Sequence, residues 1–355
     1  VFKIFIGGGK MKKGKMLMGL VCVVSILMLF LPVLSEAKPA TFNWKISVFG
    51  TPSDWEYKGI QYFCDAVKKM SSGRITLKMF QVGVPFPPTE SVSGVSRGLT
   101  EMAVTGGYYL AGVHKAFGVY ALVPAGPMHT FTEHIMLTRT AGYQAITKKL
   151  YGPKIHHVAH AVNPPTAFLS KKPITKLADF QGFLLRTASP RDRVFSKLGA
   201  KPTYIATPEI YTALQLGTIE GVDKGGYVNV YGLRLHEVTK YIIEPQFICP
   251  TATMDIIANK ASWDKLPKDL QAIVTEAGIS TALHFFVEGQ RLDFETRKKM
   301  MDYGLKLCTI PPDEMAKIYK LAREVWDQWA AETPEGAEII KLYLNTAKTC
   351  GYQVD

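Results

Sequence analysis

Between Thr41 and Thr105 the chain keeps switching its hydrophobic period, and this alternation commits it to a mostly parallel sheet covered by helices. Thr41–Phe49 is apolar on alternate residues (Phe42, Trp44, Ile46, Val48), the pattern of a half-buried strand. Ser53–Ser71 then gathers Ile60, Phe63, Cys64, Val67 and Met70 on one helical face, and Gly73 ends it. Arg74–Phe80 alternates again. After Pro87-Pro88 a short helix presents Val92, Val95 and Leu99 inward, and Glu101–Thr105 is the third strand. In a βαβαβ sheet of this kind ligands sit at the carboxyl ends of the strands.

The middle of the chain repeats the theme. Phe183–Arg186 reads as a strand, Ser189-Pro190 as a helix start and Gly199 as its end. Thr207-Pro208-Glu209 opens a second helix, closed by Gly217. Leu235–Ile243 and Thr253–Ala258 are strand candidates. A long helical pattern covers Pro267–Met301, followed by a strand at Leu305–Ile310 and two more helices. The order fits an α/β protein of two lobes with chain crossings between them.

Residues 11–37 have the layout of a secretory signal peptide. Lys12, Lys13 and Lys15 follow Met11, an apolar run extends from Met16 to Leu34, and Ser35-Glu36-Ala37 closes it with small residues. We therefore expect a start at Met11, cleavage near Ala37, and a mature periplasmic chain of Lys38–Asp355. An uncleaved anchor is the alternative, since the run is just long enough to span a bilayer. Losing residues 1–37 removes five lysines and one glutamate, which lowers the formal charge from +12 to +8. The remaining basic residues are scattered, without the runs and interleaved aromatics of a nucleic-acid surface; a small anionic ligand suits them better. Of the mature cysteines, Cys64, Cys249, Cys308 and Cys350, the first pair to test for a disulfide is Cys308 with Cys350; free thiols are equally compatible.

Three motifs invite a chemical reading. Gly94-Val95-Ser96-Arg97-Gly98 matches the G-x-S-x-G signature of serine hydrolases, but that signature needs a strand before the serine and a helix after it. Here the order is inverted, so Gly98 reads as a helix end. His156, His157 and His160 form a cluster. In a regular strand His156 and His160 share a face, too far apart to chelate one ion comfortably, so strand-edge or cleft-lining histidines are expected. Arg186 ends an apolar strand shortly before a helix start. Its guanidinium offers two parallel donors, and the helix terminus adds partial positive charge, a combination that attracts a carboxylate. A surface pair with Asp179 is the bland alternative.

The stretch from Lys172 to Trp263 carries a resemblance. It contains Leu177-Ala178-Asp179-Phe180-Gln181-Gly182-Phe183-Leu184-Leu185-Arg186, then Glu209-Ile210-Tyr211-Thr212-Ala213-Leu214-Gln215-Leu216-Gly217 and Ile219-Glu220-Gly221-Val222-Asp223. It resembles the solute-binding subunits of tripartite ATP-independent periplasmic (TRAP) transporters, over nearly the whole mature chain. The resemblance implies a two-lobed, type II-like periplasmic binding protein with hinge-crossing strands and a long helix spanning both lobes. It also implies an organic acid as ligand, delivered to membrane permease subunits, with the residue matching Arg186 pairing the ligand carboxylate.

The expected lobes are 38–160 plus 250–304 and 161–249 plus 305–355. Expected ligand-binding residues are Arg186, Tyr108, Tyr109, Asn163, Asp223, Lys224 and Tyr227. The chain looks closest to the subgroup that takes 2-oxo acids or lactate, in some members through a bridging metal ion. That subgroup tends to carry Glu-Trp where Asp223-Lys224 stands, and its metal-ligating glutamine is missing near Asn163–Phe168. The expectation is binding without a cofactor, with Lys224 contacting the ligand or neutralising Asp223. The rivals are a periplasmic sensor for the same ligand and, further off, a hydrolase using Ser96. Oligomeric state is open.

Overall fold

The computed structural model describes residues 40–52 and 54–354; the expected signal peptide, with Met11 and Ala37, lies outside them. The first half of the chain supplies β1 (Phe42–Ser47), α1 (Trp55–Met70), β2 (Ile75–Phe80), α2 (Ser91–Ser96), β3 (Met102–Thr105), α3 (Phe117–Tyr120), α4 (Phe131–Thr138), α5 (Ala141–Tyr151) and β4 (Ile155–Asn163). Then follow β5 (Phe168–Ser170), β6 (Leu184–Arg186), α6 (Arg191–Lys197), β7 (Lys201–Thr203), α7 (Ile210–Leu216), β8 (Gly221–Asp223), α8 (Tyr227–Gly232) and β9 (Tyr241–Glu244). The chain finishes with β10 (Ala252–Asn259), α9 (Lys260–Asp264), α10 (Lys268–Tyr303), β11 (Lys306–Thr309), α11 (Pro312–Glu332) and α12 (Pro334–Thr349).

The strands form two sheets, in the orders β2-β1-β3-β10-β4 and β11-β9-β5-β8-β6-β7. The opening βαβαβ is parallel as expected, but β10 runs antiparallel to both β3 and β4, so the first sheet is mixed. The chain passes from the first sheet to the second through residues 164–167, returns through 245–251, and leaves again along α10.

The 36 residues of α10 reach about 54 Å at 1.5 Å per residue, far enough to pack against α1 and β4 on one side and α8 on the other. Glycines make the close approaches. A Cβ on Gly59 of α1 would stand 2.2 Å from the Phe285 ring, and one on Gly278 would stand 2.7 Å from the Ala159 Cβ. The first sheet buries Ile46, Phe63, Val67, Met254 and Phe285 in one core, and the second buries Leu169, Ile210, Leu214 and Ile242 in another.

Several expectations need correction. Leu99 lies beyond the end of α2 and is exposed. Leu235–Glu237 is a 3-10 turn, and only Tyr241–Glu244 is a strand there. Ser189 does not cap α6; Pro190 occupies that position. Cys308 and Cys350 are both free: the Cys308 thiol, on β11, donates to the Ile174 carbonyl at 3.2 Å, while Cys350 ends α12. The expected lobe division puts α12 with the second sheet, yet α12 packs on α3, α4 and α5, which lie between two strands of the first; α11 packs on α6 instead. Ser96 closes α2, and Gly98 follows at φ +75° before β3, the helix-then-strand order that a nucleophile elbow excludes.

Candidate ligand-binding cleft

Arg186 and Asp223 end the parallel neighbours β6 and β8, so both arrive at the same edge of the second sheet. Arg186 is only 4 % exposed. Its Nε donates to the Ile205 carbonyl at 3.1 Å and one terminal nitrogen to the Asp223 carbonyl at 3.3 Å. The guanidinium carbon lies 5.3 Å from the centre of the Tyr204 ring. Among the described residues none of the ion pairs includes Arg186. Asp179 instead accepts from the Thr175 and Lys176 backbone N–H groups. Burial, then the neighbouring Arg191, lowers the Arg186 pKa against the pull of Asp223.

The Asp223 carboxylate is fully buried and fully engaged. Oδ1 accepts from the Thr166 hydroxyl at 2.8 Å and Oδ2 from the Thr187 hydroxyl at 2.7 Å. Arg191, the first residue of α6, approaches Oδ2 with Nε at 2.8 Å, as an ion pair rather than a directed hydrogen bond. Burial works against the charge on Arg191, and Asp223, Cys249 and Tyr108 together more than restore it, so its pKa is raised. The counter-ion of Asp223 is therefore Arg191, not Lys224, which corrects one of the two roles expected for that lysine. Lys224 makes no side-chain hydrogen bond or ion pair among the described residues. Burial lowers its pKa, Glu56 opposes that, and Arg186 adds to it.

Residues of the first sheet complete the cluster. Tyr108 and Tyr109 occupy a 3-10 turn after β3, with ring centres 4.7 Å apart, and Tyr109 also packs on Phe49 at 5.8 Å. Burial raises the pKa of both hydroxyls, and the charges of Arg191 and, at Tyr109, of Arg186 lower it, so both hydroxyls lie within the field of these cations. Glu56, in the first turn of α1, accepts two hydrogen bonds from the Asn229 amide of α8, at 3.2 and 3.0 Å, and so bridges the two sides. The structure thus brings Arg186, Asp223, Lys224, Tyr108 and Tyr109 together. Tyr227 is turned elsewhere: its hydroxyl donates to Glu244 at 2.9 Å, and Arg297 of α10 grips the same carboxylate. Asn163 ends β4 opposite Ala252, half-buried and without a side-chain hydrogen bond among the described residues. Sequence reasoning missed Arg191, Glu56, Tyr204 and Asn229. The one signal available was a second arginine just beyond the Ser-Pro turn.

Asp293 of α10 packs beneath this cluster, where it accepts from the Val228 backbone N–H at 2.8 Å. Burial is the main cause that raises its pKa to about 7. Between the ordinary carboxylate range, about 4, and that value, the folded chain holds a proton that the unfolded chain has released. Stability therefore falls as pH rises through this window. The Asp293→Asn variant keeps an acceptor for Val228 and removes the titration. Urea unfolding at pH 5 and pH 8 is expected to show a smaller pH-dependent loss for Asp293→Asn than for the parent; an identical loss would acquit Asp293.

Residues 46–333 match the family described as bacterial extracellular solute-binding protein, family 7 (DctP). The chain belongs to this family. A relative from Nostoc sp. (strain PCC 7120), a monocarboxylate 2-oxoacid-binding periplasmic protein, is 24 % identical over 292 residues, which covers 82 % of this chain and 80 % of that one. Among solved structures, a TRAP transporter solute-binding protein from Bordetella bronchiseptica with co-purified calcium and picolinate superposes with a TM-score of 0.78 at 21 % identity, covering 88 % of this chain and 94 % of the other. One from Colwellia psychrerythraea, with bound calcium and pyruvate, gives a TM-score of 0.76 at 23 % identity, covering 87 % and 95 %. The two sheets and the long helix of this DctP-family chain are the two-lobed fold of these proteins.

Proposed function

We propose that the chain is the extracytoplasmic solute-binding subunit of a TRAP transporter, which captures a small organic acid anion by cleft closure and hands it to membrane permease subunits. One observation carries this reading. Two cationic side chains share one cluster, Arg186 buried and Lys224 half-buried, and among the described residues neither has an ion-pair partner. A buried unpaired cation is costly, and an incoming carboxylate removes that cost for both.

Arg186 presents donors to the carboxylate, Lys224 reaches a neighbouring oxygen such as a 2-oxo group, and Tyr109 covers the ligand from the other lobe. The ligand touches both sides only when they approach, so closure follows from differential contact. The name of the Nostoc relative supports a monocarboxylate or 2-oxo acid. The lobes that close are 38–160 plus 250–304 and 161–249 plus 305–333, with α12 laid on the first. The leader is removed near Ala37, and the mature chain works in the periplasm. No bond is made or broken in this cycle.

A metal bridge, suggested by the calcium in the two solved relatives, does not suit these residues. Both oxygens of Asp223 are occupied, and Arg186, Arg191 and Lys224 already supply positive charge at the site. Calorimetric titration with pyruvate, with EDTA and then with calcium, is expected to give affinities equal within about threefold, roughly 0.6 kcal/mol. A tenfold loss on chelation would reject metal-free binding. A thermal-shift screen of organic acids identifies the ligand, since saturation at 100 times Kd adds about 2.7 kcal/mol to stability.

A further inference from the structure

The histidine cluster of β4 lies away from the carboxylate cleft and plays no part in it. We propose that His157, His160 and Asp255 form a site for one divalent transition-metal ion of the zinc type. A β-bulge makes it possible. Asp255 pairs with His160 and Ile256 with Ala159, but Ile257 pairs with His157, so Val158 is left as the extra residue. The slip reverses the facing of everything before it and turns His157 and His160, which a regular strand would send to opposite faces, toward one carboxylate. His156 goes the other way and stacks on Trp263 at 4.0 Å.

The donors converge. His157 Nε2 and His160 Nδ1 each lie 2.8 Å from Asp255 Oδ1, and the three ligand atoms are all within 4.8 Å of one another. Zinc bonds of about 2.0–2.2 Å to nitrogen and oxygen need ligand separations only about half an ångström wider than these contacts. A ligating imidazole is neutral and carries its proton on the ring nitrogen away from the ion, so each histidine coordinates through the nitrogen that now faces Asp255. Tyr151 donates to Asp255 Oδ2 at 2.7 Å and Tyr120 to Oδ1 at 3.1 Å, and these bonds orient the carboxylate from behind.

Charge and access point the same way. Asp255 has zero exposure, and among the described residues no lysine or arginine pairs with it. The open side, where the histidines keep 17 % and 11 % of their exposure, faces a cavity of about 570 Å³ between α4, α5 and α10 that leaves room for a water ligand and a path of entry. Two imidazoles and one carboxylate select zinc, nickel or cobalt over calcium and sodium, which prefer all-oxygen shells.

The test uses the mature protein stripped with EDTA, dialysed, and titrated with ZnCl2 in excess CaCl2, so that any hard-cation site is already filled. One equivalent of zinc is expected, with at least a hundredfold weaker binding in the His157→Asn/His160→Asn double variant and no change in His156→Asn. No stoichiometric zinc in the parent, or equal binding in the double variant, overturns the site. Should the double variant fail to fold, the parent decides. Zinc must shield His157 and His160, but not His156, from diethylpyrocarbonate as read by mass spectrometry, and equal labelling of the three with and without zinc overturns the assignment.

Discussion

The Arg186→Ala variant is expected to bind no measurable pyruvate or other small carboxylate, with an affinity loss of about 2–5 kcal/mol, or roughly 30- to 5000-fold. The size follows from burial. At 4 % exposure the guanidinium meets its ligand in a space where water offers little compensation, and truncation leaves the ligand carboxylate unpaired. Lys224 would remain, but a single ammonium lacks the planar two-point geometry of the guanidinium. For the same reason Arg186→Lys is expected to recover only part of the affinity. Calorimetric titration of both variants, with folding checked by circular dichroism, measures the effect. An Arg186→Ala protein that binds like the parent would remove this residue from the site and leave the proposed cleft without its anchor.

The second large effect is on stability. Asp223→Ala is expected to destabilise the fold by about 3–5 kcal/mol, because it strands the Arg191 cation and takes the acceptor from the hydroxyls of Thr166 and Thr187. At about 1.5 °C per kcal/mol for a chain of this length, the melting temperature should fall by roughly 6 °C. Removing both charges tests the cause. Asp223→Ala with Arg191→Met should be clearly more stable than Asp223→Ala alone, since no buried charge is then left unpaired. Equal stability of the single and double variants would mean that the ion pair is not the source of the loss.

Much of the fold could be read from the chain. The opening strands, the long helix and the glycine ends depend on patterns contained within a few turns of sequence. Gly217, for example, takes the left-handed conformation (φ +79°) that the end of α7 requires. The capping box of α4 was present as Thr130…Glu133 and went unread. The site was legible in part, for a different reason. Arg186 announces itself because an arginine at the end of an apolar strand is anomalous. Arg191 does not, since a basic residue in the first turn of a helix looks like surface until its partner on β8 is known. The bulge at Val158 is further out of reach, because it exists only in the register of β4 against β10, nearly a hundred residues away.

α11 and α12 pack on each other, α11 also on α6 and α12 on α3, α4 and α5. The last stretch of the chain therefore works as a brace shared by both halves, not as a tail. Any affinity tag or fluorophore meant to leave ligand capture undisturbed belongs away from this end, and a cut after Glu332 would strip Ile339, Ile340 and Tyr343 from the one core that α11 and α12 share with α3, α5 and α6.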